Sequence, residues 1–233
     1  MQIAKLASFV HKWLALLVGL QIVFWVVSGL FFTLFPIEQI RSEHLIAPAP
    51  AARTLDAAAL GDVRQVIDQA GRVAKKITLE QRADGPVIIA EFAEGAPALF
   101  DARTLSQLSP LDRAAALRIA SGHVTLKQPP TAAVLVNAKN AEYRGALPAW
   151  RVQFAQGGLS VYVAADTGAV TARRSDLWRV YDALWALHIM DWRDRENFNH
   201  PLIIIVAALT LVSVIAGIVL IPYRMNFGKR RGG

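Results

Sequence analysis

Two runs without a charged side chain, Trp13–Ile37 and Asn197–Tyr223, bracket this chain, and every carboxylate lies between them. About 20 apolar residues in a helix cross a bilayer core, so each run is long enough to span one. Glu38 is the first acidic residue and Glu196 the last. Outside them the charged side chains are Lys5 and Lys12 at one end, and Arg224, Lys229, Arg230 and Arg231 at the other. Basic flanks are retained in the cytoplasm. The expected layout is therefore two spans, both termini inside, and a large segment on the far side.

Charge agrees with that layout. The chain carries 25 Lys and Arg against 18 Asp and Glu, a net charge of +7. Removing the six terminal cations leaves the interior almost neutral. A nucleic-acid reading needs a basic patch on one folded face, and none is evident, so no nucleic-acid partner is expected. A cleavable signal would have a shorter apolar core and small residues at its end. The first run instead ends in Phe31-Phe32-Thr33-Leu34-Phe35-Pro36 and reads as an uncleaved anchor. With no cysteine, disulfides, iron–sulfur clusters and thiolate zinc sites are excluded.

The segment between the spans suits an α+β domain. Ala47–Ala52, rich in alternating Ala and Pro, reads as a linker. A helix is expected over Ala57–Ala70, then strands at Lys76–Gln81, Val87–Phe92 and Ala98–Asp101. Leu111–His123 reads as a second helix. Val134–Asn137, Trp150–Ala155 and Leu159–Ala164 read as further strands, the last two joined at Gly157-Gly158. Each half opens on Leu-Asp (Leu55-Asp56, Leu111-Asp112) and closes on an aromatic strand with an Asp-containing turn, which suggests two tandem repeats.

Two kinds of motif carry a family resemblance. Trp150–Phe154 followed by Val161–Val170 resembles the end of a PepSY domain. His11-Lys12-Trp13-Leu14-Ala15-Leu16, Leu187-His188-Ile189-Met190-Asp191-Trp192 and Asn197-Phe198-Asn199-His200 are similar to PepSY-associated transmembrane proteins. That resemblance implies an α+β membrane protein in the bacterial inner membrane, with two transmembrane helices flanking a periplasmic PepSY-like domain. The division expected is a cytoplasmic N-terminus (1–12), first span (13–37), linker (38–53), PepSY-like domain (54–175), interfacial helix and loop (176–196), second span (197–223) and basic tail (224–233). Members include membrane-bound ferric and ferric-siderophore reductases, in which histidine-held haem carries electrons across the membrane. Known members have four or more spans, so a two-span chain points to a homodimer.

Histidine is the main ligand class available to a redox centre here. His11 steps by four residues to Ala15 and Gly19, with Gly29 on the same face, and small residues admit a partner helix or a flat macrocycle. One such His per chain at the cytoplasmic edge would require the dimer for a bis-histidine haem b. At the outer edge, Trp178, Tyr181, Trp185 and His188 form one stripe of an amphipathic helix over Leu177–Met190. His200 opens the second span beside Pro201. His188 and His200 are the candidates for a second haem, with His44 in reserve. Each has an ordinary alternative as an interfacial or capping histidine. His123 reads as a helix C-terminal residue favoured by the dipole.

The charged loop Asp191, Arg193, Asp194, Arg195, Glu196 is either solvated or poised toward haem propionates through its arginines. No zinc-protease, Walker, dinucleotide or nucleophile-elbow motif occurs, and no catalytic residue is identified. The expectation is a haem b electron-transfer protein, with one or two haems per dimer. It would take electrons from a quinol or other membrane donor and pass them to ferric iron or a ferric chelate in the periplasm, an oxidoreductase of the ferric-reductase kind. The rival expectations are a membrane-anchored PepSY module that regulates a secreted peptidase, and a structural subunit of a larger complex.

Overall fold

The computed structural model describes residues 2–48 and 60–224. The linker beyond Pro48, the first part of the expected helix over Ala57–Ala70 and the basic tail after Arg224 lie outside the described residues. The chain divides into two compact units, Met1–Pro36 with Val180–Gly233, and Ile37–Arg179.

The second unit is built twice from a helix followed by an antiparallel sheet. α2 (Ile37–Ile40) leads into it. α3 (Val63–Ala70) starts where the Asp62 carboxylate accepts the Arg64 N–H, and it ends at Gly71, whose φ of 60° suits glycine. It precedes β1 (Ala74–Arg82), β2 (Gly85–Phe92) and β3 (Ala98–Asp101), paired in that order. α4 (Arg113–His123) is capped by Asp112 on the Ala115 N–H. It precedes β4 (Ala132–Val136), β5 (Ala149–Gln153), β6 (Ser160–Ala164) and β7 (Val170–Arg174), also paired in chain order. The expected α+β class and its internal repeat are both present. β7 is an addition: its Thr171, Arg173 and Arg174 gave no apolar alternation to find. The Gly157-Gly158 connection is a 3-10 turn over Gln156–Gly158, both glycines near φ 60°, rather than a tight two-residue hairpin.

Alternation along β2 explains the core. Val87 and Ile89 face one way, into a cluster with Leu99, Ala116, Ala120, Val152, Val161 and Val163. Ile88, Ala90 and Phe92 face the other, into a cluster with Val66, Ala98 and Phe100. A strand buried on both faces needs a continuous apolar run, and Val87-Ile88-Ile89-Ala90 supplies it. The outer face of the second sheet is covered locally. Tyr143 stacks on Tyr162 with centroids 4.3 Å apart and planes within 2°. The Tyr143 hydroxyl donates to the Ala146 carbonyl at 2.7 Å. Next to it, Glu142 pairs with Arg179 at 2.5 Å and Arg151 at 3.5 Å.

In the first unit, α1 (Gln2–Leu34) and α6 (Pro201–Arg224) are long and apolar enough to cross a membrane. α1 is helical well before its uncharged run begins at Trp13, since Lys and His interrupt the apolar pattern without opposing helix. Its inward positions Ala7, His11, Leu14, Val18, Gln21, Trp25 and Ser28 share a stripe of three- and four-residue steps. Ser213 and Ala216 are the buried residues of α6, and Gly217 faces the His11 ring: a Cβ there would lie 3.0 Å from His11 Cε1. Small side chains let the two helices approach closely. α5 (Asp176–Ile189) runs along the other part of this stripe from Val180 onward.

Candidate functional site: a polar seam along the first span

The seam of α1 carries polar groups that a membrane helix ordinarily avoids, and each has a partner. His11 Nδ1–H donates to the Ser213 carbonyl at 2.8 Å. Gln21 Nε2 donates to the Leu187 carbonyl at 2.9 Å, and Trp25 Nε1 to the His188 carbonyl at 2.6 Å. The Ser28 hydroxyl donates to the Phe24 carbonyl one turn back at 2.5 Å. With its proton engaged there, Ser28 Oγ accepts from His188 Nδ1–H at 2.7 Å.

Two of these contacts, with one from His200, solve a single problem. α5 stops at Ile189, where Met190 takes a positive φ of 58°, so its last carbonyls have no helical partner. Gln21 takes the carbonyl of Leu187, Trp25 that of His188, and His200 Nε2–H that of Ile189 at 2.9 Å. In an apolar layer an unsatisfied carbonyl costs several kcal/mol, so this set of donors lets the helix end among the spans.

The aromatic stripe of α5 packs on α1. Phe32 lies 5.0 Å from Tyr181, 6.2 Å from Trp185 and 5.6 Å from His188, centroid to centroid. Tyr181, Trp185 and His188 are nearly parallel along the stripe. Trp178 belongs to the other unit and carries the Arg174 guanidinium over its ring at 4.0 Å.

The loop after α5 is ordered by one carboxylate. Asp191 accepts the N–H groups of Arg193, Asp194, Glu196 and Asn197, and these bonds hold its pKa down to about 2. Arg195 folds back to pair with Asp182, and its carbonyl accepts from Trp185 Nε1. This loop is thus an organised turn, with one of its two arginines committed to α5.

The four candidate histidines fall into distinct settings. His11 and His188 keep the proton on Nδ1 against an acceptor, and neither Nε2 has a hydrogen-bond partner among the described residues. His200 is reversed, with Nε2 bound to a carbonyl. His44 is exposed in a 3-10 turn of the other unit. His11 and His188 meet α1 at positions 11 and 28, roughly 26 Å apart at 1.5 Å per residue, so one chain does not bring them together. Gln21, Trp25, Ser28 and Ser213 were not singled out by sequence reasoning. The one local signal was Gln21 and Ser28, polar residues seven positions apart within an apolar helix.

Residues 9–233 match the family described as PepSY-associated TM region. The chain belongs to this family. The match covers both spans and the folded domain, so this is a membrane protein that contains a PepSY-type α+β domain. No curated protein and no solved structure matches the chain. Among the described residues of this PepSY-associated protein, no group of three or more His, Asp or Glu could hold a metal ion. A bis-histidine group needs only two ligands, and they can come from two chains.

Proposed function

We propose that this PepSY-associated protein is a b-type electron-transfer protein of the bacterial inner membrane. In this reading both termini are cytoplasmic, and a homodimer passes electrons from a quinol or other membrane donor to ferric iron or a ferric chelate in the periplasm. The observation that carries the reading is that two seam histidines are both held through Nδ1. A metal-binding imidazole characteristically donates its other N–H to a carbonyl or similar acceptor, which fixes the ring and raises its basicity. His11 has that arrangement on the Ser213 carbonyl and His188 has it on Ser28 Oγ, so each offers Nε2.

The donor set therefore fits haem at two levels, His11 at one and His188 at the other, each completed by the same residue of a second chain. Haem, when bound, supplies a one-electron couple. The protein's own contribution is orientation and water exclusion. Ser213 and Ser28 hold the rings, Gly217 leaves room beside His11, and Phe32 and Trp185 shield His188. His200, whose Nε2 is used at the end of α5, supports the His188 segment. A Cβ on Gly19 or Gly29 would meet nothing within 4 Å, which leaves that face of α1 open to a partner chain.

The test is the absorption spectrum of the purified full chain. It should show a Soret band that shifts on dithionite reduction, and His11→Ala and His188→Ala should each remove about half of it, since the two levels are independent. A colourless protein, or one whose spectrum survives both substitutions, would overturn the proposal and leave a membrane-anchored binding module as the better reading.

A further inference from the structure

Lys5, Ser8 and Lys12 lie at three- and four-residue steps on α1, and they face Leu220, Tyr223 and Arg224 of α6 across a groove of about 500 Å³. Three cations thus share one small space with two hydroxyl groups. None has an acidic partner among the described residues, and the sequence offers none locally, since no Asp or Glu occurs before Glu38 or after Glu196. Like charges held together at the end of an apolar helix pair repel one another unless an anion lies between them. The groove continues onto apolar surface one turn further in: Leu16 follows Lys12 by four residues on α1 and is 73% exposed, and Val219 precedes Tyr223 by four residues on α6 and is 37% exposed. Trp13, beside Lys12 with the ammonium 5.7 Å from its ring, is the type of residue that settles at headgroup level.

We propose that this groove binds the headgroup phosphate of an anionic membrane phospholipid, with the acyl chains lying along the apolar walls. Cationic pockets between spans suit such headgroups. The adjoining apolar surface selects a lipid over a free anion, because only the lipid occupies both. The site is independent of any haem and would persist if the electron-transfer reading failed.

The test uses the full chain in mild detergent, offered equal amounts of phosphatidylglycerol and phosphatidylcholine, with retained lipid read by native mass spectrometry. Phosphatidylglycerol should be retained preferentially. Each cation near a membrane surface contributes about five-fold in affinity, so Lys5→Gln/Lys12→Gln/Arg224→Gln should lose on the order of 100-fold. Ser8→Leu, which fills the groove without changing charge, should also release the lipid. Lys75→Gln/Lys127→Gln/Lys139→Gln removes the same charge from the folded domain and should leave retention unchanged. Millimolar inorganic phosphate should not displace the lipid. Equal retention of both lipids by the unmodified chain would overturn the proposal, as would equal losses in the two triple variants. Displacement by phosphate would overturn it in favour of a free-anion site.

Discussion

The Trp25 indole donates to the main-chain carbonyl of His188 at 2.6 Å, and the His188 ring turns back to Ser28 on the same helix as Trp25. One residue is thereby held at both its backbone and its side chain by a single face of α1. Position and ring orientation of His188 are set together.

Trp25→Phe keeps the ring and removes the donor. Leaving the His188 carbonyl unsatisfied should cost about 1–3 kcal/mol. The check is the apparent melting temperature of the purified chain, which should fall, while Trp13→Phe at an exposed position should leave it unchanged.

His200 and His188 should separate cleanly on mutation. His200→Ala removes a carbonyl partner and should lower the melting temperature while haem absorbance per folded chain is retained. His188→Ala should remove about half of the absorbance. Equal loss of absorbance in both variants would place His200 among the ligands.

A dimer read from the open face of α1 predicts an asymmetric response to size. A Cβ at Gly19 has no atom of its own chain within 4 Å, so the monomer fold should persist in Gly19→Leu. Cross-linking yield and haem content should fall together if a second chain packs there. Dimerisation at the level of the unmodified chain would exclude this face as the interface.

Acid should loosen the folded domain through His123. Its Nε2 accepts from Arg173 at 3.1 Å, and burial together with that guanidinium lowers its pKa from the ordinary 6.5. The dipole expected to favour a charged ring at the end of α4 is outweighed by these two effects. A histidine with a depressed folded-state pKa contributes its full stability above pH 6.5, and the contribution is lost as pH falls below that value. Hydrogen exchange of α4 and β7 should therefore quicken as pH falls below 6.5. His123→Gln, which keeps an acceptor and cannot titrate, should flatten that dependence.

Much of the architecture was legible because it rests on local patterning. The two apolar runs, the helix opening at Leu111-Asp112 and the uninterrupted Val87–Ala90 segment are signals that a few neighbouring residues carry, whereas the Asp62 cap of α3 was passed over for the earlier Leu55-Asp56. The seam was less legible. His11 was noticed for its spacing to Ala15 and Gly19, yet its ring bonds to Ser213, 202 positions away. Gln21 and Trp25 drew no reading from their sequence neighbours. Their role appears only when the end of α5 arrives beside them, and no local periodicity encodes that meeting. Likewise Asp191 looked like one charge among several, whereas its four backbone bonds depend on the turn that follows.

β2 lends one face to each of the two cores, so neither half of the folded domain owns a complete interior. A chain cut between β3 and α4 would strip Val87, Ile89 and Leu99 from the second half and leave those side chains bare on the first. Repetition in the sequence therefore does not make interchangeable modules. The halves are bound into one cooperative folding unit by a shared wall, and a disturbance in either half is felt by the other through β2 and β3.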